Sequence, residues 1–220
     1  MQATTFSTWL LDLDGTLVDS APDLHGALLA TFTRYGHGDV DEGLVRRFVG
    51  GGARLLIERA LAERYPDAAA AEHDVDTMHA HFLDHYAAHI ADRSRPYPGV
   101  REALETLRGR GIALACVTNK YEGLSRQLLR ALDLEAFFGA VIGGDTLAER
   151  KPDPAPLFEA CRQLAADPQR ALMVGDSITD IRAARNAGMP VVCVSYGYNH
   201  GEDIHAAGAD RVVDSLLALI

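Results

Sequence analysis

The chain has few cysteines and few lysines. The first shortage argues against a disulfide framework, and the second limits the side chains available for amine chemistry. Its three cysteines, Cys116, Cys161 and Cys193, are too few and too scattered along 220 residues for a disulfide framework. Cys116 and Cys193 lie inside apolar runs, where a free thiol behaves as a small buried hydrophobe. The two lysines are Lys120 and Lys151, and every other basic side chain is an arginine. Chemistry that needs a primary amine therefore has two candidates.

The chain also lacks an excess of positive charge and long apolar runs. Asp and Glu number 31 against 21 Lys and Arg, which gives a formal net charge of -10. Sequence-independent nucleic-acid binding relies on surplus basic residues, so we expect no nucleic-acid partner. No apolar run approaches the roughly 20 residues that span a bilayer, and residues 1–8 lack the features of a secretory signal. We expect a cytoplasmic protein with no membrane partner.

Short apolar runs that end in polar or turn residues recur along the chain. The first, residues 7–13, is followed by the turn signal Asp14-Gly15 and predicts a buried strand. Five later runs share this pattern and are predicted strands, the last at a sheet edge: 112–117, 140–142, 171–174, 191–194 and 211–213.

Amphipathic helical patterns separate these predicted strands. They cover residues 99–108, 123–132 and 156–164. Strands alternating with helices predict an α/β fold with a Rossmann-like parallel sheet and helices on both faces. In such sheets, ligands bind outside the carboxyl ends of the strands, so the chemistry is expected there.

Residues 19–94 break this alternation. They contain no convincing strand but four helical stretches: 21–35, 41–48, 53–65 and 72–90. We therefore expect residues 1–18 and 95–220 to form a catalytic core. Residues 19–94 are expected to form an inserted, all-helical cap domain over the strand ends.

Asp12 and Asp14 lie two residues apart at the end of the first predicted strand. Residues i and i+2 of an extended chain point to the same side, so both carboxylates can face one point. Two like charges so close are unfavourable unless a cation lies between them or one binds a proton. The pair indicates a hard-metal site, a nucleophile with its acid partner, or both.

Other predicted strand ends also present polar side chains. Thr118, Lys151, and the pair Asp176 and Asp180 each follow a different predicted strand. With the first acid pair they make up the set that phosphoryl transfer needs. That set is an oxygen nucleophile, an acid, a hard cation and donors for the phosphoryl oxygens.

Together these motifs resemble the haloacid dehalogenase-like hydrolase superfamily in order and spacing. The matching segments are Asp12-Leu13-Asp14-Gly15-Thr16-Leu17-Val18-Asp19, Thr118-Asn119, Lys151-Pro152 and Gly175-Asp176-Ser177-Ile178-Thr179-Asp180. The resemblance covers essentially the whole chain, and the helical insertion resembles the superfamily's C1-type cap.

This resemblance implies catalytic roles. Asp12 is expected to be the nucleophile that forms an aspartyl-phosphate, and Asp14 the acid for the leaving oxygen and then the base for water. Thr118 is expected to donate to a phosphoryl oxygen, assisted by Asn119 or backbone amides. Lys151 is expected to neutralise phosphoryl charge and to offset repulsion between the acids.

The resemblance also implies a Mg²⁺ site. The expected ligands are the Asp12 carboxylate, the backbone carbonyl of Asp14 and Asp176. Asp180 is expected to be a further or water-mediated ligand.

The sequence excludes several branches of the superfamily. Dehalogenases of this type lack the second acid, whereas Asp14 is present. Phosphonate hydrolases need a cap lysine, and residues 19–95 contain none. P-type ATPases carry Lys after the first Asp and are membrane proteins. A hydrolase of a small phosphorylated metabolite remains, as a monomer or homodimer.

Three segments favour one substrate. Residues 12–22, 141–145 and 196–202 resemble bacterial phosphoglycolate phosphatases. However, the cap segment Gly51-Gly52-Ala53-Arg54 also resembles N-acetylmuramic acid 6-phosphate phosphatases. A sugar-phosphate phosphatase, or a phosphomutase of the β-phosphoglucomutase type with a similar core and cap, is therefore an alternative.

The cap also offers a candidate anion site. Gly51 and Gly52 precede the predicted helix 53–65, whose start carries Arg54. Glycines allow backbone N–H groups close to an anion, a helix N-terminus adds positive potential, and an arginine supplies a bidentate fork. We expect this loop to face the strand ends and to bind the substrate's carboxylate.

Histidines crowd the last predicted cap helix. They are His73, His79, His81, His85 and His89, and the last three are spaced by four and can share a face. Without a nearby cysteine or a His-Glu-x-x-His motif, a solvated or partner-facing surface is favoured over a zinc or nickel site.

Overall fold

The computed structural model describes residues 6–66 and 74–220. The predicted helix start at residue 72, and His73, lie outside the described residues. None of the helices within these two ranges combines the length and apolarity that crossing a membrane requires.

Six strands form one parallel sheet. In chain order they are β1 (Thr8–Leu11), β4 (Ala113–Val117), β5 (Ala140–Ile142), β6 (Ala171–Gly175), β7 (Val191–Val194) and β8 (Arg211–Val213). Their spatial order is β5-β4-β1-β6-β7-β8, and each neighbouring pair is parallel. β1 is central, with Leu10 opposite Ala115 of β4 and Met173 of β6.

Helices cover both faces of this sheet, because the apolar side chains of each strand alternate between two cores. Trp9 and Leu11 belong to one core, which contains Leu104, whereas Leu10 belongs to the other, which contains Leu157 and Cys161. The first core is covered by α5 (Val100–Gly109) and α6 (Glu122–Ala131), and the second by α7 (Ala155–Gln163) and α8 (Ile178–Asn186). The predicted fold class is confirmed. Cys116 and Cys193 are buried free thiols as expected, and Cys161 is also one.

The described part of the insertion, residues 19–66 and 74–94, forms four helices. These are α1 (Ala21–Arg34), α2 (Glu42–Phe48), α3 (Ala53–Arg64) and α4 (Val75–Ala88). The insertion leaves and rejoins the sheet-bearing part through two short antiparallel strands, β2 (Val18–Asp19) and β3 (Arg95–Pro96). We use the name cap for residues 19–94; their independence as a domain stays a prediction.

The first strand is shorter than the predicted 7–13, because the chain turns sharply after Asp12. The backbone N–H groups of Leu17 and Val18 both donate to the Leu13 carbonyl, at 3.0 Å each. Gly15 has φ of +85°, and a Cβ there would collide with the Asp176 carboxylate. The turn therefore needs glycine, and it returns the chain toward the sheet edge where Asp176 lies.

Candidate active site

The predicted core residues meet at the carboxyl edge of the sheet. Asp12 and Asp14 follow β1, Thr118 follows β4, and Asp176 follows β6. The charged and polar side chains gathered here are almost fully buried: Asp12 7%, Asp14 9%, Thr118 4%, Asn119 7%, Lys151 3%, Asp176 3% and Asp180 0% exposed. Burying so many acids is tolerable only where cations and donors compensate them.

Lys151 is one compensating cation. Its Nζ donates to Asp180 Oδ1 and to the Val117 carbonyl, at 2.7 Å each. It also lies 2.9 Å from Asp12 Oδ1, an ion-pair distance without hydrogen-bond geometry. Burial lowers the pKa of Lys151, but Asp12 and Asp180 together raise it above its ordinary value. Lys151 is therefore held charged between two carboxylates.

Asp12, Asp176 and Asp180 form a compact acidic cluster. One oxygen of each lies within 4.8 Å of the others. Burial raises the pKa of Asp12 to about 7, with Lys151 opposing and Asp180 adding to the rise. Burial also raises the pKa of Asp176, and the charges of Asp180 and Asp12 add to this rise. This cluster is short of positive charge.

The donor set of this cluster fits a hard divalent cation. The ligand atoms available are carboxylate oxygens, which Mg²⁺ prefers. Asp12 Oδ1 is buried and receives no hydrogen bond from the described residues. Around Asp176 the space is shaped by glycine, since a Cβ at Gly15 or Gly197 would collide with its carboxylate.

Asp180 is held by a buried cation and three further donors, whereas Asp176 accepts one bond on each oxygen, from the Thr16 hydroxyl at 3.1 Å and the Tyr198 N–H. Oδ1 accepts from Lys151, while Oδ2 accepts from the Ser177 hydroxyl at 2.8 Å and from the N–H groups of Asp176 and Ser177 at 3.3 and 3.2 Å. These contacts fix Lys151 and the loop that carries Asp176.

Asn119 joins the sheet edge to the cap. Its Nδ2 donates to the carbonyl oxygens of Gly50, at 3.1 Å, and Lys151, at 2.9 Å. Since both amide hydrogens are used, the side chain has none left for a phosphoryl oxygen in this arrangement. Thr118 Oγ1 accepts from the Lys120 backbone N–H at 3.2 Å, and its own hydroxyl hydrogen is free to turn toward the cavity.

Lys120 is a site residue that sequence reasoning did not assign. Its Nζ donates to both carboxylate oxygens of Asp14, at 2.9 and 2.7 Å, and lies 4.8 Å from the centre of the Tyr86 ring. Ser20 Oγ also donates to Asp14, at 2.5 Å. The sequence contains an indication of this role, since Lys120 is one of two lysines and lies two residues after Thr118.

Tyr198 is a second unassigned residue. Its backbone N–H donates to Asp176 Oδ2 at 2.7 Å, and its hydroxyl donates to Asp19 Oδ1 at 2.8 Å. The same hydroxyl accepts from the N–H groups of Ser20 and Ala21, at 3.0 Å each. Tyr198 thus ties the loop of Asp176 to the segment where the cap begins.

A cavity of about 60 Å³ lies between the sheet edge and the cap. Core and cap both line it, with Asp12, Asp14, Thr118 and Lys120 on one side and Gly50, Gly52, Arg54, Phe82 and Tyr86 on the other. Gly50 and Gly52 of the glycine loop thus lie across the cavity from the strand ends, whereas Gly51 is not among the lining residues.

Arg54 lines this cavity, but its guanidinium is already bound. Nε donates to Glu58 at 3.0 Å, and the guanidinium also pairs with Asp76. These acids raise the pKa of Arg54, Asp76 most strongly. An arriving anion competes with two carboxylates for this side chain.

The predicted histidine face is engaged in local contacts. His81 Nδ1 lies 3.2 Å from Thr31 Oγ1, the rings of His85 and His89 are 4.5 Å apart, and His89 Nδ1 lies 2.8 Å from Asp92. Within the described residues, the three-residue cluster with metal-ligand spacing is the acidic one at the strand ends.

The sequence profile of haloacid dehalogenase-like hydrolases matches residues 9–194. The chain belongs to this family. A phosphoglycolate phosphatase of Nitrosococcus oceani is 44% identical over 210 residues, covering 96% of this chain and 93% of the relative. One of Mesorhizobium japonicum is 50% identical over 189 residues, covering 86% and 82%. A crystal structure of a predicted phosphoglycolate phosphatase from Haemophilus somnus is similar, with a TM-score of 0.90, 34% identity, and 96% and 95% coverage. The resemblance inferred from the motifs is confirmed.

Proposed function

We propose that the protein is a Mg²⁺-dependent phosphatase that hydrolyses 2-phosphoglycolate to glycolate and phosphate. The observation that carries this proposal is the placement of Asp12 within the acidic cluster and against Lys151, with Asp14 beside it. The similar proteins from N. oceani and M. japonicum carry the name of this activity. They agree with the enzyme class expected from the sequence, a phosphoric monoester hydrolase.

In the first half of the reaction, a carboxylate oxygen of Asp12 attacks phosphorus and the bond between phosphorus and the ester oxygen breaks. Asp14 gives its proton to the departing oxygen, which leaves as the hydroxyl of glycolate. The product on the enzyme is an aspartyl-phosphate.

In the second half, Asp14 takes a proton from water, whose oxygen attacks phosphorus. The bond between phosphorus and Asp12 breaks, so phosphate is released and the Asp12 carboxylate is regenerated. The same group therefore acts first as acid and then as base, which requires it to stay close to both the ester oxygen and the water.

The phosphoryl charge is met by this chain's own donors. Lys151, kept charged by Asp12 and Asp180, faces the phosphoryl oxygens, and Thr118 donates its hydroxyl. Asn119 is proposed to contribute through its backbone, because its side-chain hydrogens are used. Roles for Gly51, Gly52 and Arg54 in binding the substrate stay predictions.

The acidic cluster is proposed to hold Mg²⁺ through Asp12, Asp176 and the backbone carbonyl of Asp14. When bound, the ion neutralises charge on the acids and on the phosphoryl group. Asp180 is proposed to contribute at most through water, because its Oδ1 is paired with the Lys151 ammonium and its Oδ2 accepts from three donors. A cytoplasmic location, the absence of nucleic-acid and membrane partners, and a monomeric or homodimeric state stay predictions.

A panel of phosphorylated metabolites with Mg²⁺ tests the function. We expect the highest kcat/KM for 2-phosphoglycolate, the substrate named by the activity of the similar proteins from N. oceani and M. japonicum. N-acetylmuramic acid 6-phosphate and glucose 1-phosphate represent the alternative substrates. A higher kcat/KM for either, or a requirement for a sugar bisphosphate during turnover of a hexose phosphate, would replace the proposal by a sugar-phosphate phosphatase or a phosphomutase.

A further inference from the structure

Three cationic side chains of the described residues line the cavity: Lys120, Arg54 and Arg150. Arg54 is 49% exposed and bound to Glu58 and Asp76, and Arg150 is exposed. Lys120 is different, since only 7% of its side chain is exposed and it lies against Asp14. A substrate whose ester oxygen reaches Asp14 therefore meets Lys120 before any other positive charge that its leaving group could use.

Lys120 has the capacity to bind a second anion. An ammonium group has three N–H donors, and the two oxygens of Asp14 take two of them. The Tyr86 ring, with its centre 4.8 Å from Nζ, holds the ammonium through a cation–π contact. The third N–H of Lys120 lies near the Tyr86 hydroxyl, without hydrogen-bond geometry to it, and is the one that a ligand in the cavity can take.

The position of that donor matches the substrate of the proposed function, on which this inference rests. An acid must lie about 2.6–3.2 Å from the ester oxygen to protonate it. In 2-phosphoglycolate a single methylene separates the ester oxygen from the carboxylate carbon, so the carboxylate oxygens lie about 2.6–3.6 Å from the ester oxygen. Since Lys120 Nζ is 2.7 Å from the nearer oxygen of Asp14, that carboxylate comes within its reach.

The cap supplies a second donor at the same place. Tyr86 is 1% exposed and lines the cavity, yet its hydroxyl has no hydrogen-bond partner within residues 6–66 and 74–220. A buried hydroxyl without a partner is unfavourable, and a carboxylate oxygen would satisfy it. Because Tyr86 lies in α4 and Lys120 follows β4, a carboxylate bound to both would bridge cap and core.

We propose that Lys120, with the Tyr86 hydroxyl as a second donor, binds the carboxylate of the leaving group and selects carboxylated phosphomonoesters. The contact is made by the part of the substrate that differs between phosphomonoesters. It therefore determines specificity, while Asp12 and Lys151 act on the phosphoryl group that all of them share.

The test compares 2-phosphoglycolate with 2-hydroxyethyl phosphate, which has the same chain length and a hydroxymethyl group in place of the carboxylate. In Lys120→Met, the ratio of their kcat/KM values should fall about 10- to 100-fold, as expected for one charge-assisted hydrogen bond. Lys120→Arg should restore most of the ratio, and Tyr86→Phe should lower it about 3-fold. A loss of Asp14 positioning affects both substrates alike and cancels in the ratio.

Arg126→Met is the matched control, because Arg126 pairs with Glu122 on α6 and its loss removes one positive charge outside the cavity. Its ratio should equal that of the wild type. An unchanged ratio in Lys120→Met, or a fall in Arg54→Met instead, overturns the proposal. Should Lys120→Met fail to fold, Lys120→Gln and Tyr86→Phe make the same comparison, and an unchanged ratio in both overturns it.

Failure of this inference is distinguishable from failure of the proposed function. A wild-type enzyme that prefers 2-phosphoglycolate, together with a Lys120→Met variant that keeps the preference, overturns the inference alone. A wild-type enzyme without that preference overturns the proposed substrate.

Discussion

Lys151 and Asp180 form an ion pair buried at the edge of the sheet, with Nζ 2.7 Å from Oδ1 and side chains 2% and 0% exposed. Pairs of this kind hold their geometry firmly, because neither charge has water to turn to. Asp180 also accepts from Ser177, so it connects the lysine to the loop that carries Asp176. We therefore expect the ion pair between Lys151 and Asp180 to contribute to the free energy of unfolding, whether or not Asp180 also takes part in metal binding.

Asp180→Asn should destabilise the protein by about 3 kcal/mol. The substitution keeps the shape of the side chain but leaves the buried Lys151 charge with Asp12 alone, and breaking one partner of a buried pair typically costs this much. The free energy of unfolding in urea measures the effect. Glu159→Gln is the control, since it breaks an exposed ion pair with Arg162 and should leave that free energy unchanged. Equal effects of the two substitutions would show that the buried pair contributes no more to the free energy of unfolding than the pair between Glu159 and Arg162.

Asp12→Asn should abolish turnover and leave the fold intact. An amide neither attacks phosphorus nor carries the negative charge that balances a metal, so kcat should fall at least 1000-fold, as for loss of a nucleophile. Asparagine suits the buried position, where burial already raises the pKa of the acid to about 7. Circular dichroism and steady-state kinetics are measured together. Retention of a tenth of the wild-type kcat would refute Asp12 as the nucleophile.

The core of the site was predictable because its residues come in short segments whose geometry is local. Asp12 and Asp14 share a side because they are two apart on an extended chain, and parallel strands bring their carboxyl ends to one edge. The cap was predictable because a long segment without strand patterns interrupts a regular alternation. Where the first strand stops was missed by two residues, since the chain there is closed into a turn by the N–H groups of Leu17 and Val18, which both donate to the Leu13 carbonyl.

The contacts that arise only in the folded chain could not be predicted. Lys120 and Asp14 are 106 residues apart; the place of Lys120 just after Thr118 indicates the same sheet edge, but not its contact with Asp14. Arg54 shows the converse. Its position at a helix start suggested an anion site, but the next helix places Asp76 against it and occupies its guanidinium. Local pattern gives the chemical groups, while packing decides which of them remain available.

Tyr198→Phe should lower the free energy of unfolding by about 2 kcal/mol. The hydroxyl satisfies the N–H groups of Ser20 and Ala21 and donates to Asp19, and phenylalanine leaves these buried groups without that partner. Urea unfolding measures the loss. Tyr35→Phe, which removes a hydroxyl at an exposed 3.5 Å contact, should change the same quantity by less than about 0.5 kcal/mol. A Tyr198→Phe variant as stable as Tyr35→Phe would show that the Tyr198 hydroxyl does not stabilise the contact between the loop of Asp176 and the start of the cap.

The acidic cluster predicts a metal requirement with a defined pH dependence. Activity should vanish in EDTA and return with Mg²⁺; full activity in metal-free buffer would contradict the metal site.

Burial raises the folded-state pKa of Asp12 from 3.8 to about 7, so between these values the folded chain binds more protons than the unfolded chain. The stability that Asp12 contributes is present below pH 4 and is lost as the pH rises toward 7.

Other groups titrate in the same pH range, so the contribution of Asp12 to the pH dependence of stability has to be isolated by comparing the wild type with a variant that lacks this carboxylate. Burial lowers the pKa values of His79, His85 and His200, which gives the opposite slope. The wild type should therefore be compared with Asp12→Asn without metal: the variant should melt a few degrees higher at pH 7.5, and the difference should shrink at pH 5. Mg²⁺ should raise the Tm of the wild type more at pH 7.5 than at pH 5, since protons compete for the ligands. A Tm difference that does not vary with pH would show that the Asp12 carboxylate is already compensated without metal.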